Sequence, residues 1–307
     1  MPNFRLRDIR GVIPAMLTPF APDESVDPER VRALTRHLCK KPIGGLYLTG
    51  STGEGFMMTP DERKLVVEAV LSEARGRVPV IVHVGAISTR MSEELARHAA
   101  GAGADAVSAV PPIYWKFSDD NVARYYADIA QAAGIPMVIY NIALAGLVSF
   151  DMIKRLGAID GVEGIKYTAF THYDIARMKD ALGEGFTVYS GADEMAVSGL
   201  AFGADGLIGS TFNCLAELFV DLYAAAAADN EKRAAELQRV ANRIIFAFLD
   251  CDLIPALKLA LRWEGVDAGV CRRPFSRFTP EREAEIREVF AALQRKLNTD
   301  VPFMRML

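Results

Sequence analysis

Along this chain, short runs of β-branched and other apolar residues alternate with longer stretches in which apolar positions recur every three to four residues. That alternation predicts strands and amphipathic helices taken in turn, hence βα units around a parallel sheet. Eight runs read as strands: "GVIPAMLTPF" (11–20), "GLYLTG" (45–50), "PVIVHVG" (79–85), "AVSAVPP" (106–112), "PMVIYN" (136–141), "VEGIKYT" (162–168), "FTVYSG" (186–191) and "GLIGST" (206–211). Between them lie helices with recognisable ends. In "TPDERKLVVEAVLSEA", Thr59 can cap, Pro60 takes the first helical position and acids fill the first turn. "STRMSEELARHAAGAGA" and "SDDNVARYYADIAQAAG" repeat the design, each ending at glycine. Eight units of this size predict an α/β fold of the (β/α)8 TIM-barrel type, because a doubly wound sheet usually has fewer strands. The barrel is expected over 1–228. The remainder, 229–307, carries no strand signal and is expected to add a helical extension packed on the barrel. The run "AAAAADNEKRAAEL" reads as a helical, alanine-rich surface stretch.

Composition changes this picture little. The 307 residues are 51% hydrophobic and 24% charged with a net charge of −4, as in ordinary globular proteins, and nothing basic suggests a nucleic-acid surface. Cys39, Cys214, Cys251 and Cys271 show neither a CxxC pair nor zinc spacing, so reduced structural thiols are expected. His37, His83, His98 and His172 are scattered and read as core or surface histidines, and no metal site is expected. With no leader-like or membrane-spanning stretch in view, a cytoplasmic protein without membrane partners is the expectation.

Candidate chemistry concentrates at the strand ends. In "VEGIKYTAF" a single lysine, Lys166, stands in the otherwise uncharged end "GIKYTAF" of a strand. A buried ammonium loses its hydration, so such a lysine is either a paired structural cation or a nucleophile. In a barrel the C-terminal strand ends carry the chemistry. There stand "GSTGE" after strand two, "PPIYW" after strand four, Tyr140 and Asn141 at strand five, Lys166 and Thr168 at strand six, "GADE" after strand seven and Gly209 and Ser210 at strand eight. Each has a plain reading. "GSTGE" alone is a turn and lacks the lysine of a P-loop. Tyr140 alone is an amphipathic core residue. Asp193 and Glu194 alone are solvated acids at a helix start. Six unusual strand ends on one rim shift the balance. A tyrosine and a lysine on neighbouring strands form the pair a Schiff-base enzyme needs: an amine that adds to a ketone and a phenol that moves protons.

The segments "GLYLTGSTGEGF", "HVGAIST", "GADAVSAVPPIYWKFS", "PMVIYN", "GIKYT", "GADEMAVSGLAFGADGLIGSTFN" and "CRRPF", in that order, resemble the N-acetylneuraminate lyase and dihydrodipicolinate synthase family of class I aldolases over nearly the whole length. The resemblance implies that Lys166 is the Schiff-base lysine and Tyr140 the proton-transferring phenol. It puts the hydroxyls of Ser51 and Thr52 near the keto-acid carboxylate, and makes Tyr114 a relay residue supplied across a subunit interface of a homotetramer. The lyase branch is the more similar, through "GSTGE", "DE" after strand seven and "IGSTFN". The stretch "IALAGLVSF" (142–150) lacks the arginine that the synthases place after strand five. Thr168, Gly191, Asp193, Glu194, Gly209 and Ser210 would then hold the hydroxylated tail of a sialic acid. The implied activity is reversible cleavage of N-acetylneuraminate to pyruvate and N-acetylmannosamine, with no cofactor or metal, on small keto-acid and sugar-acid substrates. The alternatives are a related aldolase acting on a 2-keto-3-deoxy sugar acid, dihydrodipicolinate synthase, and a non-catalytic barrel that binds a keto acid.

Overall fold

The computed structural model describes residues 2–297 and 300–307. Its eight strands are β1 (Gly11–Pro14), β2 (Leu46–Leu48), β3 (Val80–His83), β4 (Ala106–Ala109), β5 (Met137–Ile142), β6 (Val162–Thr168), β7 (Thr187–Ser190) and β8 (Gly206–Gly209). All are parallel, in the order β1-β8-β7-β6-β5-β4-β3-β2. An Ala15–Tyr47 bridge, in which Met16 N donates to Tyr47 O at 2.8 Å, brings β1 back to β2. The fold is a (β/α)8 barrel with further helices behind it, as the alternation predicts. Several strands end earlier than their apolar runs. The run 11–20 leaves the ladder at Pro14, and Pro19 has no N–H to donate; past that point only isolated bridges remain, at Ala15 and Phe20.

The helices following each strand are α1 (Pro28–Leu38), α2 (Pro60–Ala74), α3 (Thr89–Ala102), α4 (Asp119–Ala133), α5 (Phe150–Gly157), α6 (Tyr173–Leu182), α7 (Ala196–Ala201) and α8 (Phe212–Ala227). After them come α9 (Glu231–Leu249), α10 (Leu253–Trp263) and α11 (Pro280–Leu297). Local sequence sets their ends. Thr59 and Glu62 form a reciprocal capping box, Ser88 and Ser118 cap α3 and α4, and those two helices stop at Gly103 and Gly134 with φ of 99° and 62°. The alanine-rich stretch does not continue as one helix. Asp229 turns left-handed at φ 54°, and the Asn230 side chain accepts from Arg233 N at 3.2 Å to start α9 afresh.

Two apolar layers hold this together. Inside the barrel Ile13, Tyr47, Ile81, Val138, Tyr140, Tyr189 and Ile208 pack above Leu6 and Ile9, which close its N-terminal end. Tyr189 Oη donates to Ile9 O at 3.0 Å, fixing that plug. Outside, the helices bury the other strand faces, and behind α8 the rings of Phe248, Phe290 and Phe303 meet at centroid distances of 4.6 and 5.5 Å. Among the described residues no helix is long and apolar enough to cross a membrane.

Phe248 is fully buried in that ring cluster, whereas its neighbour-but-one Phe246 is 53% exposed. Phe248→Ala should therefore lose about 3–5 kcal/mol in denaturant unfolding. Phe246→Ala should stay within about 0.5 kcal/mol of the parent, and equal losses would contradict this placement of the core.

Candidate active site

The strand register brings the lysine and the tyrosine together. Tyr140 on β5 pairs with Lys166 on β6, and because side chains alternate along a strand both point to the barrel axis. Lys166 is 4% exposed. Its Nζ lies 4.1 Å from the centre of the Tyr140 ring and 4.6 Å from that of Tyr47. Among the described residues no ion pair reaches it. The nitrogen that would meet a carbonyl carbon is thus held against π faces rather than by a carboxylate.

The surrounding residues fix those rings. Tyr47 Oη donates to Ser108 Oγ at 3.1 Å, and burial pushes this phenol well above its ordinary range. The two tyrosine rings meet edge to face at 5.9 Å. His83, at the end of β3, packs edge-on against Tyr140 at 6.0 Å. Val110 N donates to His83 Nε2 at 3.3 Å, while Nδ1 lies 3.2 Å from Thr49 O, so the proton belongs on Nδ1. Burial first, then the charges of Arg63 and Lys166, hold this imidazole well below its usual pKa and therefore neutral. Arg63 is itself buried and donates to Gly85 O at 2.9 Å and His83 O at 2.5 Å.

On the other side of Lys166, glycines make room. A Cβ on Gly191 would stand 2.0 Å from Thr168 Oγ1 and 3.2 Å from Lys166 Cε, and one on Gly209 would stand 2.2 Å from Asp193 Oδ1. A cavity of about 290 Å³ opens here. Thr168, Gly191, Asp193, Glu194 and Ser210 line it together with Leu144, Leu147, Phe170, Ile245, Leu249 and Leu253. Thr168 Oγ1 is buried with no hydrogen-bond partner in the protein. Asp193 Oδ2 is already taken: it accepts from Thr211 N at 2.9 Å and Thr211 Oγ1 at 2.7 Å. Burial raises this carboxyl to about 6 against the opposing pull of those bonds. Helix α9 supports the turn from behind, Gln238 Nε2 donating to Asp193 O and Asn242 Nδ2 to Glu194 O, both at 3.0 Å.

Ser51 is half-buried and Thr52 buried in the loop after β2. The single chain does not bring Tyr114 to the cluster. It is 87% exposed at φ 82°, with its ring edge-on to Trp115. Reading from strand ends missed Tyr47, Ser108 and Arg63, and it gave His83 only as a core or surface histidine. The missed strand positions carry a period-two signal: stepping back from the strand ends by two places Tyr47, His83 and Ser108 on the same inward face as Tyr140 and Lys166. A second cavity, about 250 Å³, lies against α10. Its guanidiniums are already paired, Arg30 with Asp267, Arg262 with Glu283 and Arg277 with Glu24.

Residues 8–293 match the model of the dihydrodipicolinate synthetase family. The chain is 36% identical over 285 residues to the N-acetylneuraminate lyase of Rhizobium meliloti, covering 92% of this chain and 95% of that one. It is 39% identical over 286 residues to the N-acetylneuraminate lyase of Citrobacter koseri, with 91% and 96% covered. Among solved structures, the sialic acid aldolase of Ruminococcus gnavus superposes with a TM-score of 0.89 at 32% identity, covering 94% and 99% of the two chains. The dihydrodipicolinate synthase of Aquifex aeolicus gives 0.86 at 28% identity, with 95% and 99% covered.

The Asp193 carboxyl yields a stability test. Its native pKa of about 6 lies above the unfolded value of 3.8, so between these the native state binds the extra proton and stability falls as pH rises. Asp193→Asn removes that term. The difference in melting temperature should move in favour of Asp193→Asn from about pH 4 to about pH 6 and flatten above. A pH-independent difference would contradict the burial of this carboxyl.

Proposed function

Since the chain belongs to the dihydrodipicolinate synthetase family, we propose that it is a class I aldolase, a carbon–carbon lyase that reversibly cleaves N-acetylneuraminate to pyruvate and N-acetylmannosamine. The observation that carries this reading is the buried Lys166 amine held in register against Tyr140. Lys166 Nζ adds to the C2 carbonyl of the open-chain sugar acid, and the carbinolamine loses water to give an iminium. Tyr140 takes the proton of the C4 hydroxyl, the C3–C4 bond breaks, and its electron pair passes into the iminium to leave an enamine and the free aldehyde. Return of the proton to C3 regenerates the imine, and water releases pyruvate from Lys166. The iminium is the electron sink, so the step needs no Lewis acid.

The remaining residues divide by reach. The hydroxyls of Ser51 and Thr52 hold the carboxylate. The unpartnered Thr168 hydroxyl, Glu194 and Ser210 meet the hydroxyls of the sugar, with Gly191 and Gly209 admitting it. Asp193 shapes that wall through its bonds to Thr211 as well as facing the cavity. Tyr114 serves the proton relay of a partner subunit in a cytoplasmic homotetramer. The exposed rings of Tyr114, Trp115 and Phe117, at 87, 61 and 42%, support burial of this loop against another copy.

With pyruvate and borohydride, one reduced three-carbon adduct should form and map to Lys166, and Lys166→Ala should abolish it. An adduct on another lysine would refute the mechanism. Tyr140→Phe should lower sialic acid cleavage by roughly 10²–10⁴-fold while the adduct still forms. Glu194→Ala should weaken cleavage about tenfold or more, the equivalent of about 1.5–3 kcal/mol for a lost charged hydrogen bond, with trapping nearly intact. Wild-type protein that traps pyruvate yet releases it only from a shorter deoxy sugar acid would move the assignment to that substrate.

A further inference from the structure

Glu54 and Lys258 form an ion pair whose side chains are 0% and 3% exposed. Lys258 is on α10, outside the barrel, and Glu54 ends the "GSTGE" loop. The ammonium donates to Glu54 Oε1 at 2.7 Å, Thr18 O at 2.7 Å and Val270 O at 2.6 Å, which uses all its protons. Glu54 Oε2 accepts from Arg272 N at 2.8 Å. Both side chains are thus engaged within the protein and too buried to meet a ligand.

What they hold is the loop. Thr49 and Glu54, on either side of Gly50, Ser51, Thr52 and Gly53, both sit in the left-handed region, at φ of 53° and 55°, where non-glycine residues need outside support. Thr49 is fixed by its Oγ1 bond to His83 O at 2.7 Å, and the middle of the loop by the Thr18 Oγ1 bond to Gly53 O at 2.7 Å. Glu54 is fixed by the pair with Lys258 and by Arg272 N. Replacing a buried ion pair by apolar side chains of similar volume is often neutral for stability, so the attraction between the two charges alone gives little reason for them here. Direction does: two charged hydrogen bonds set the orientation of Glu54 and, through it, the path of the loop.

We infer that Glu54 and Lys258 are positioning residues that hold the Ser51 and Thr52 hydroxyls at the height of Lys166, so that α10 sets the affinity for the pyruvate carboxylate. This rests on the aldolase reading above, in which those hydroxyls bind the carboxylate.

The test uses full-length protein, with pyruvate and borohydride as the probe. The double variant Glu54→Met with Lys258→Met keeps the volume and leaves no unpaired charge. It takes the side-chain partners from Thr18 O, Val270 O and Arg272 N and should therefore melt below the parent, while in the folded protein the pyruvate concentration giving half-maximal trapping at Lys166 rises tenfold or more. The trapping rate at saturating pyruvate should stay within about threefold. Glu54→Gln, which keeps the shape but cannot accept from Arg272 N through its amide nitrogen, should move half-saturation the same way by a smaller factor. A merely structural pair would lower melting temperature and trapped amplitude together and leave half-saturation unchanged, and that result overturns the inference. If the double variant does not fold, unchanged half-saturation in Glu54→Gln overturns it alone. Wild-type protein that forms no adduct removes the aldolase reading and the inference with it; an adduct in wild type with both variants unchanged removes only the inference.

Discussion

The site depends on one registry, the pairing of Tyr140 on β5 with Lys166 on β6. Side chains alternate along a strand, so a slip of one residue would turn Lys166 out of the barrel and into the layer under the helices. Gly164, two residues earlier on the same inward face, belongs to this constraint. A Cβ there would stand 2.6 Å from Thr187 O and 3.1 Å from the Leu6 side chain, which plugs the barrel end. The lysine is therefore set by strand closure and by the packing beneath it. The rings of Tyr47 and Tyr140 then supply the contact that a carboxylate gives most buried ammonium groups.

The helices beyond the eighth unit complete the rim. From α9, Gln238 and Asn242 hold the backbone of Asp193 and Glu194, and the same helix contributes Ile245 and Leu249 to the cavity wall. From α10, Lys258 reaches the loop after β2. Opposite ends of the strand-end loops are thus tied to one C-terminal layer. Displacement of that layer would disturb the turn at Asp193 and Glu194 and the loop that carries Ser51 and Thr52 together. The cavity lining mixes polar groups with Leu144, Leu147 and Phe170.

Much of this was legible in the sequence, because the deciding signals are local. Eight apolar runs with capped helices between them specify the barrel, and the strand ends point to Lys166, Tyr140 and the "GSTGE" loop. What was not legible depends on distance in space. Nothing near Glu54 signals Lys258, which lies 204 positions away and meets it only after α10 folds onto the barrel. Asp193 reads as a solvated acid at a helix start, yet burial and Thr211, on the neighbouring strand's end, give it a raised pKa and a fixed orientation. The break at Asp229 was hidden by strong helix formers on both sides, which outweigh a single capping asparagine in any local reading.

The central claim is that Lys166 forms an imine with pyruvate and that Tyr140 moves protons to and from the adjacent carbon. Its most direct test is exchange of the pyruvate methyl protons with deuterated water, followed by proton NMR with no aldehyde present. Wild-type protein should wash out the methyl signal through the enamine, Lys166→Met should leave it at the protein-free rate, and Tyr140→Phe should exchange far more slowly than wild type. Exchange by Lys166→Met as fast as by wild type, or none by wild type, would contradict the account.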